Sequence, residues 1–184
     1  MRQIVLGIIL VLHASAAFGQ ASFQFATVGL NAPDDPNVSG FRFSVLHGEN
    51  RSVSGLDVGL LSVSETARLS GASFVFGIGV VTEEMDGAAA FSLVNVHRST
   101  DRGLNAAFVN FVKDTPDAVT IGFLNIAEGA TMVDIGGVNV SDRSKVQLGF
   151  INVTNEITGL QLGFVNIAEN GFLPVFPFFN FPGD

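Results

Sequence analysis

Apolar and polar residues alternate along most of this chain, and the alternation recurs in short units. The clearest unit, GLQLGFVNI, occupies residues 159–167, and similar units lie at residues 145–153 and 118–126. Each of these units ends in an asparagine followed by an aliphatic residue. Alternation with a period of two residues is typical of a β-strand. The pattern therefore predicts an all-β protein with one strand in each unit.

The units recur at a nearly constant spacing, measured here from the residue at the asparagine position, which we call the anchor. Successive anchors are 13 to 15 residues apart, except for one step of 20 residues, for which we expect an insertion near residues 65–73. Such regular self-similarity is the signature of a repeat protein. The anchors in chain order are His47, Ser62, Thr82, Asn95, Asn110, Asn125, Asn139, Asn152, Asn166 and Asn180.

The two faces of each predicted strand differ in composition. The residues two, four and six positions before the anchor are apolar in nearly every unit, as in Phe164, Leu162 and Leu160. The opposite face carries a polar residue and then a small one, as in Gln161 and Gly163. Because apolar surface is driven out of water, we expect the Phe and Leu columns to point inward and to form the core.

This pattern favours a shallow up-and-down antiparallel β-barrel of about ten short strands built from repeats of about 14 residues. Acidic turns rich in Gly, Asn and Ser separate the strands and suit hairpin connections. Ten strands with one apolar face are expected to curl and close, which removes exposed edges. A unit of this length is expected to be too short for a two- or three-sided coil, but a β-solenoid is retained as the alternative architecture.

The C-terminal units carry a resemblance to a known family. Residues 159–168, GLQLGFVNIA, and residues 170–181, NGFLPVFPFFNF, resemble the bacterial surface-repeat-containing family of uncharacterised proteins. The resemblance is strong from about residue 118 to residue 181 and fades toward residue 41. It implies a shallow symmetric barrel similar to the β-flower fold and a location at the cell surface. It implies no activity.

The N-terminus has the features of a signal peptide, predicted here for residues 1–20. Arg2 is followed by a short apolar stretch at residues 4–12 and then by small residues. Residues 21–184 are predicted to form a single repeat β domain. The protein is therefore expected to be exported, to the periplasm, the outer-membrane surface or the extracellular space.

Composition removes several classes of function. The net charge of −8 and the pI near 4.7 argue against nucleic-acid binding, which needs clustered Lys and Arg. The chain has no cysteine, and His47 and His97 are three repeats apart, so we expect no metal site and no cofactor. The chain has no nucleophile-elbow motif, and we expect no enzymatic activity.

The asparagine anchors form one candidate site. Asparagines at a fixed strand position could form a polar ring that binds a ligand, or each could bond the backbone of its own turn. In an antiparallel barrel, successive anchors would lie at alternate rims. The candidate ligand-binding residues are Asn95, Asn110, Asn125, Asn139, Asn152, Asn166 and Asn180.

A second candidate is the phenylalanine-rich C-terminus, which could contact a membrane or a partner or could close the barrel as its last strand. Two prolines among these residues predict an edge strand, a closing strand or a bulge. The candidate contact residues are Phe172, Phe176, Phe178, Phe179 and Phe181.

The functional hypothesis that best fits these observations is a non-catalytic exported surface or periplasmic module that has a structural or binding role with an unknown ligand. A small outer-membrane β-barrel and an enzyme with a site at the barrel rim are the alternatives. Aliphatic residues on the predicted outer face, including Ile151 and Val165, would form an exposed apolar band. Self-association or contact with a membrane surface is therefore expected.

Overall fold

The fold is built entirely of strands in the part of the chain that the computed structural model describes, residues 20–183. Within this range, no helix is long and apolar enough to cross a membrane. The predicted signal peptide, apart from its last residue, lies outside these residues. The strands are β1 (Ala21–Thr27), β2 (Leu30–Ala32), β3 (Asn37–Ala127), β4 (Ala130–Ala168) and β5 (Val175–Asn180).

The two long strands, β3 and β4, wind through successive coils that stack in parallel. The end of β3 pairs with the start of β4 at an offset of one repeat, so that Ile121 lies beside Ile135 and Asn125 beside Asn139. About nine turns of about 14 residues follow one another in this way. The predictions of an all-β fold and of the repeat length are confirmed. The architecture is the β-solenoid alternative, and the favoured closed antiparallel barrel is wrong.

A 14-residue coil is possible because almost every residue in it is part of a strand and the corners are tight. At about 3.3 Å per residue, such a coil has a perimeter of about 46 Å. This perimeter leaves room inside for a single layer of mostly small side chains. The expectation that 14 residues are too few for a coil assumes long corners between the strands, and this protein does not have them.

The narrow interior reverses the expected orientation of the side chains. Phe164 is 63% exposed and Phe123 is 58% exposed, whereas Gln161 and the anchor Asn166 are fully buried. The expectation that the Phe and Leu columns point inward is therefore wrong. Small and polar residues line the interior, together with apolar residues of modest size such as Ile157.

Each end of the solenoid is covered by a short antiparallel strand. At the N-terminal end, β2 has three residues and pairs antiparallel with β1. At the C-terminal end, β5 pairs antiparallel with the last coil, so that Asn180 lies beside Gln161. Asn180 is therefore not one more anchor in the parallel stack. The prediction of an edge strand at the prolines is confirmed, because β5 is the last strand of the sheet.

The long step in the repeat spacing is divided between two coils. The Ser73 hydroxyl donates to Asp57, 16 residues earlier, and the Phe74 ring stacks on Phe91, 17 residues later (91 − 74). The extra residues are thus not confined to residues 65–73. Thr82, the predicted anchor of this region, is half-buried rather than part of the buried column.

Candidate functional site

The anchor asparagines form a continuous ladder inside the solenoid. The side-chain amide of Asn110 donates to Asn125 Oδ1 at 2.8 Å, and that of Asn125 donates to Asn139 Oδ1 at 2.8 Å. The amides of Asn110, Asn125, Asn139 and Asn152 also donate to a backbone carbonyl of the next coil, as Asn125 does to Ile135 at 3.1 Å. The side-chain amides of Asn95, Asn139 and Asn152 donate in the same way to Oδ1 of the next anchor asparagine, at 2.8 to 2.9 Å.

Both ends of the ladder are also satisfied. The Ser92 hydroxyl donates to Asn95 Oδ1 at 2.6 Å, and the Asn166 amide donates to the carbonyls of Gly163 and Phe176. The anchors from Asn95 to Asn166 thus lie on the same side of every coil, not at alternate rims. Those from Asn110 to Asn152 bond the next coil rather than their own turn, whereas Asn95 and Asn166 each also donate to a carbonyl of their own coil. Ligand binding by this column stays a prediction, and exposures of 0 to 3% do not favour it.

Two further clusters of polar side chains are buried in the interior of the solenoid. Arg42 is fully buried and forms a two-point ion pair with Asp57, at 2.8 Å and 2.9 Å. Its guanidinium also donates to Asn50 Oδ1 at 2.9 Å and to the Ser64 hydroxyl. A buried guanidinium needs this complete set of acceptors because an unpaired charge is costly to bury.

The second cluster brings a serine, a histidine and an aspartate together without the geometry of a catalytic triad. His97 Nδ1 lies 2.7 Å from Asp101 Oδ2, and the Ser99 hydroxyl donates to Asp101 Oδ1 at 2.6 Å. A triad would need the serine to bond the histidine. All three residues are at most 2% exposed, which keeps a substrate away from them.

Asp134 is a buried carboxyl with a displaced pKa. Burial in the interior raises the pKa of its carboxyl from 3.8 to about 6, and side-chain hydrogen bonds from Thr131, Gln147 and Ser144 oppose that shift. The Thr131 hydroxyl lies 2.6 Å from Asp134 Oδ2. Asp134 takes the same position in its coil as Gln147 and Thr120, so a titrating group replaces a neutral one in this column.

The most distinctive surface of the molecule is an apolar sheet face, which we call the apolar face. It consists of the residues two, four and six positions before the anchors in the six coils from Asn95 to Asn166, where alternation turns them outward. Its members are Ala89, Phe91, Leu93, Leu104, Ala106, Phe108, Val119, Ile121, Phe123, Val133, Ile135, Gly137, Val146, Leu148, Phe150, Leu160, Leu162 and Phe164.

Stacked aromatic rings form a ridge along the apolar face. The rings of Phe108 and Phe123 are 5.3 Å apart and nearly parallel, and those of Phe150 and Phe164 are 5.5 Å apart. Beside the second pair, Phe178 of β5 helps to line an apolar groove of about 330 Å³. Exposed apolar residues continue the face toward the N-terminus, at Leu56, Leu60, Phe74 and Phe76.

The chemistry of the apolar face restricts what it can bind. Its eighteen positions, three in each of six coils, carry no charged and no hydrogen-bonding side chain. A glycan or a nucleic acid is recognised largely through polar groups, so this face does not suit either. Contiguous exposed apolar surface of this extent marks contact with a protein or with lipid.

The C-terminal phenylalanines lie on the surface beside the last coil. Phe172, Phe178, Phe179 and Phe181 are exposed, and the rings of Phe172 and Phe181 stack at 5.3 Å. Their expected alternative role, closing a barrel, does not apply because there is no barrel to close. Contact with a membrane or a partner stays a prediction for these residues.

Polar clefts occur elsewhere on the surface. One of about 560 Å³ is lined by residues that include His47, Glu49, Glu65 and Glu83. Among the described residues, no group of three or more His, Asp or Glu side chains is placed to hold a metal ion.

Comparison of the chain with protein-family models, with curated proteins and with solved structures found no match in any of the three. The class to which the structure assigns the protein is thus an architectural one. It is an all-β repeat protein whose coils stack as a solenoid, with a polar interior and one apolar sheet face.

The sequence pattern identifies the residues of the apolar face but not their role. It predicts that the columns of Phe, Leu, Ile and Val two, four and six positions before the anchors form the core. The available signal was the row of Asn, Gln, Ser and Thr on the opposite face, which can bond between stacked coils. Small polar residues fit a narrow interior better than phenyl rings do.

Proposed function

We propose that this protein is an exported, non-catalytic module that acts by binding an apolar partner surface through its apolar face. The observation that carries the proposal is the absence of any polar side chain from eighteen outward positions in six consecutive coils. Such a surface is costly to leave in water. A covering partner removes that cost.

The rest of the molecule supports a binding role rather than a catalytic one. Three separate sets of polar side chains are buried in the interior, namely the Asn ladder, the Arg42–Asp57 pair and the His97–Asp101 pair. The bonds in each set join members of that same set. A stiff solenoid that holds an extended flat surface is a common way to build a binding platform.

Export is supported by the sequence features of residues 1–20. The resemblance of residues 118–181 to the bacterial surface-repeat family supports a location at the cell surface. The proposed compartments are the periplasm, the outer-membrane surface and the extracellular space.

The proposal is tested with the full chain expressed in a bacterial host. N-terminal sequencing should show the loss of about 20 residues, and fractionation should place the protein outside the cytoplasm. Wild type and the face variant F123K/F150K are then compared for association with the cell envelope and with themselves. The matched control is F111K, because Phe111 is an exposed phenylalanine that is not on the apolar face.

We expect the face variant to lose associations that wild type and F111K keep. An uncleaved chain in the cytoplasm would contradict export. A face variant that behaves as wild type in every association assay would contradict the use of the face.

A further inference from the structure

We infer that the apolar face is covered by a second copy of this chain, so that two solenoids pack face to face as a symmetric dimer. This inference rests on the proposed function, since it names the partner for the same surface. Four features of the described residues favour a second copy, namely the area of the face, its composition, the covered ends of the solenoid and the placement of its charges.

The area of the face is near the lower limit of what a stable dimer needs. The six coils of the apolar face, spaced about 4.8 Å apart, give a length of about 29 Å, and the three outward positions of each coil span about 17 Å, which makes a planar area of about 490 Å². The exposed residues Leu56, Leu60, Phe74 and Phe76, which continue the face over two more coils, extend it to about 650 Å². A standard protein interface buries about 600 to 1,000 Å² on each partner, so the extended face is large enough to hold two chains together.

The composition of the face suits sheet-on-sheet packing. Two sheets pack face to face when both present apolar side chains, and their strands then lie within about 30° of each other. The ridge made by Phe108, Phe123, Phe150 and Phe164 is lower at Gly137, between the second and third rings. A ridge with a step of this kind allows the side chains of two copies to interdigitate.

The ends of the solenoid favour a closed dimer over a filament. Stacked coils could grow end to end if their last strands were free to pair. Here the edges of the sheet are β2 and β5, which are short, antiparallel to their neighbours and close to prolines, including Pro33 and Pro177. End-to-end growth is thus hindered, and a face that meets its own copy gives a closed two-fold arrangement.

The charged residues lie outside the apolar face, so none of them would be buried between two copies. The chain carries 9 basic and 17 acidic residues, and none of them lies on the apolar face. Exposed ion pairs such as Arg102–Asp86 and Arg143–Glu156 join neighbouring coils elsewhere on the surface. The net charge of −8 also disfavours an anionic bilayer as the cover.

The experiment measures the mass of the purified full chain in solution by light scattering and sedimentation, at about 1 to 100 µM. N-terminal sequencing of the same sample shows at which residue the chain begins, and the mass of one copy is calculated from that sequence. We expect twice that mass, and we expect it to persist in about 1 M salt, because an apolar interface is not screened. F123K/F150K should weaken dimerisation by at least about 100-fold, whereas F111K should dimerise as wild type does.

If F123K/F150K does not fold, the uncharged variant F123S/F150S is used in its place. Circular dichroism shows whether each variant is folded. A wild-type monomer across the concentration range overturns the dimer, as does a dimer that survives both face variants. If the monomer binds neutral phosphatidylcholine vesicles and the face variants do not, lipid is the partner, and the proposed function survives without the dimer. If wild type shows no association that depends on the face, both proposals fail.

Discussion

The side-chain amide of Asn139 donates a hydrogen bond to Asn152 Oδ1 at 2.8 Å, and the two residues occupy the same position in adjacent coils. The amide of Asn139 also donates to the Leu148 carbonyl, and its own Oδ1 accepts from Asn125. One buried side chain therefore joins three successive coils. The ladder thus holds adjacent coils together through side-chain hydrogen bonds.

The first prediction concerns this ladder. Asn139→Ala leaves one buried amide N–H of Asn125 and the buried Oδ1 of Asn152 without their partners, so we expect it to lower the free energy of unfolding by about 3 kcal/mol. Urea denaturation measures the change. The matched control is Asn155→Ala, because Asn155 bonds Asp142 at the surface and its loss should cost less than about 1 kcal/mol. Equal effects of the two substitutions would contradict a structural role for the ladder.

The second prediction concerns the buried ion pair. Asp57→Ala leaves the fully buried Arg42 without its counter-charge, and we expect a loss of about 3 to 5 kcal/mol of stability. Glu83→Ala removes the partner of Arg68 in an exposed pair and should change stability little.

The double substitution Arg42→Met/Asp57→Leu separates charge from packing in the same cluster. We expect it to recover most of the loss seen in Asp57→Ala, because the buried charge is gone. Thermal unfolding of the four proteins provides the comparison. If the double variant is as unstable as Asp57→Ala, the unpaired charge is not the cause.

The third prediction concerns pH. Burial raises the pKa of Asp134 to about 6, so the folded state holds this proton more tightly than the unfolded state does. Stability from this group is thus full below about pH 4 and falls as the pH rises toward about 6. Asp134→Asn removes the ionisation, and above pH 6 we expect the variant to be more stable than wild type by about 2 to 3 kcal/mol.

The measurement for Asp134 is the difference in unfolding free energy between wild type and variant from pH 3 to pH 8, since the difference cancels the other titrating groups. It should be small at the acid end and grow through the window around pH 4 to 6. A difference that does not vary with pH would show that the Asp134 pKa is not displaced.

The fourth prediction tests the reversed orientation of the side chains. Ile157 is fully buried, and Ile157→Ala should lower the free energy of unfolding by about 2 to 4 kcal/mol. Phe164 has a larger side chain but is 63% exposed, and Phe164→Ala should cost less than about 1 kcal/mol. Chemical denaturation at protein concentrations where the chain is monomeric gives both values. A larger loss for Phe164 would place that ring in the core.

Much of the candidate surface could be recognised from the sequence, although its role could not. Counting back from Asn166 identifies Phe164, Leu162 and Leu160 as neighbours on one side of a strand. The stacking of Phe150 on Phe164 follows from their equal positions in adjacent repeats. Exposure of these rings does not follow, because a general preference for buried phenylalanine predicts the opposite.

The chain ends show the same division. The prolines near β5 predict an edge strand, a closing strand or a bulge, and β5 is the last strand of the sheet. Residues 176–181, FPFFNF, resemble one more repeat with Asn180 as its anchor. Because β5 runs antiparallel to the last coil, Asn180 lies beside Gln161 rather than beside Asn166. Direction of pairing is a property of how the chain turns, which a strand pattern does not contain.

The sequence by itself determined the strand content, the repeat length and the equivalence of the anchors from Asn95 to Asn166. It determined these because alternation and spacing are local properties of the chain. Tertiary structure alone decided that the strands stack in parallel and which of their faces lies inside. A coil of about 14 residues encloses too little space for a column of phenyl rings, so Asn152 points inward and Phe150 remains outside.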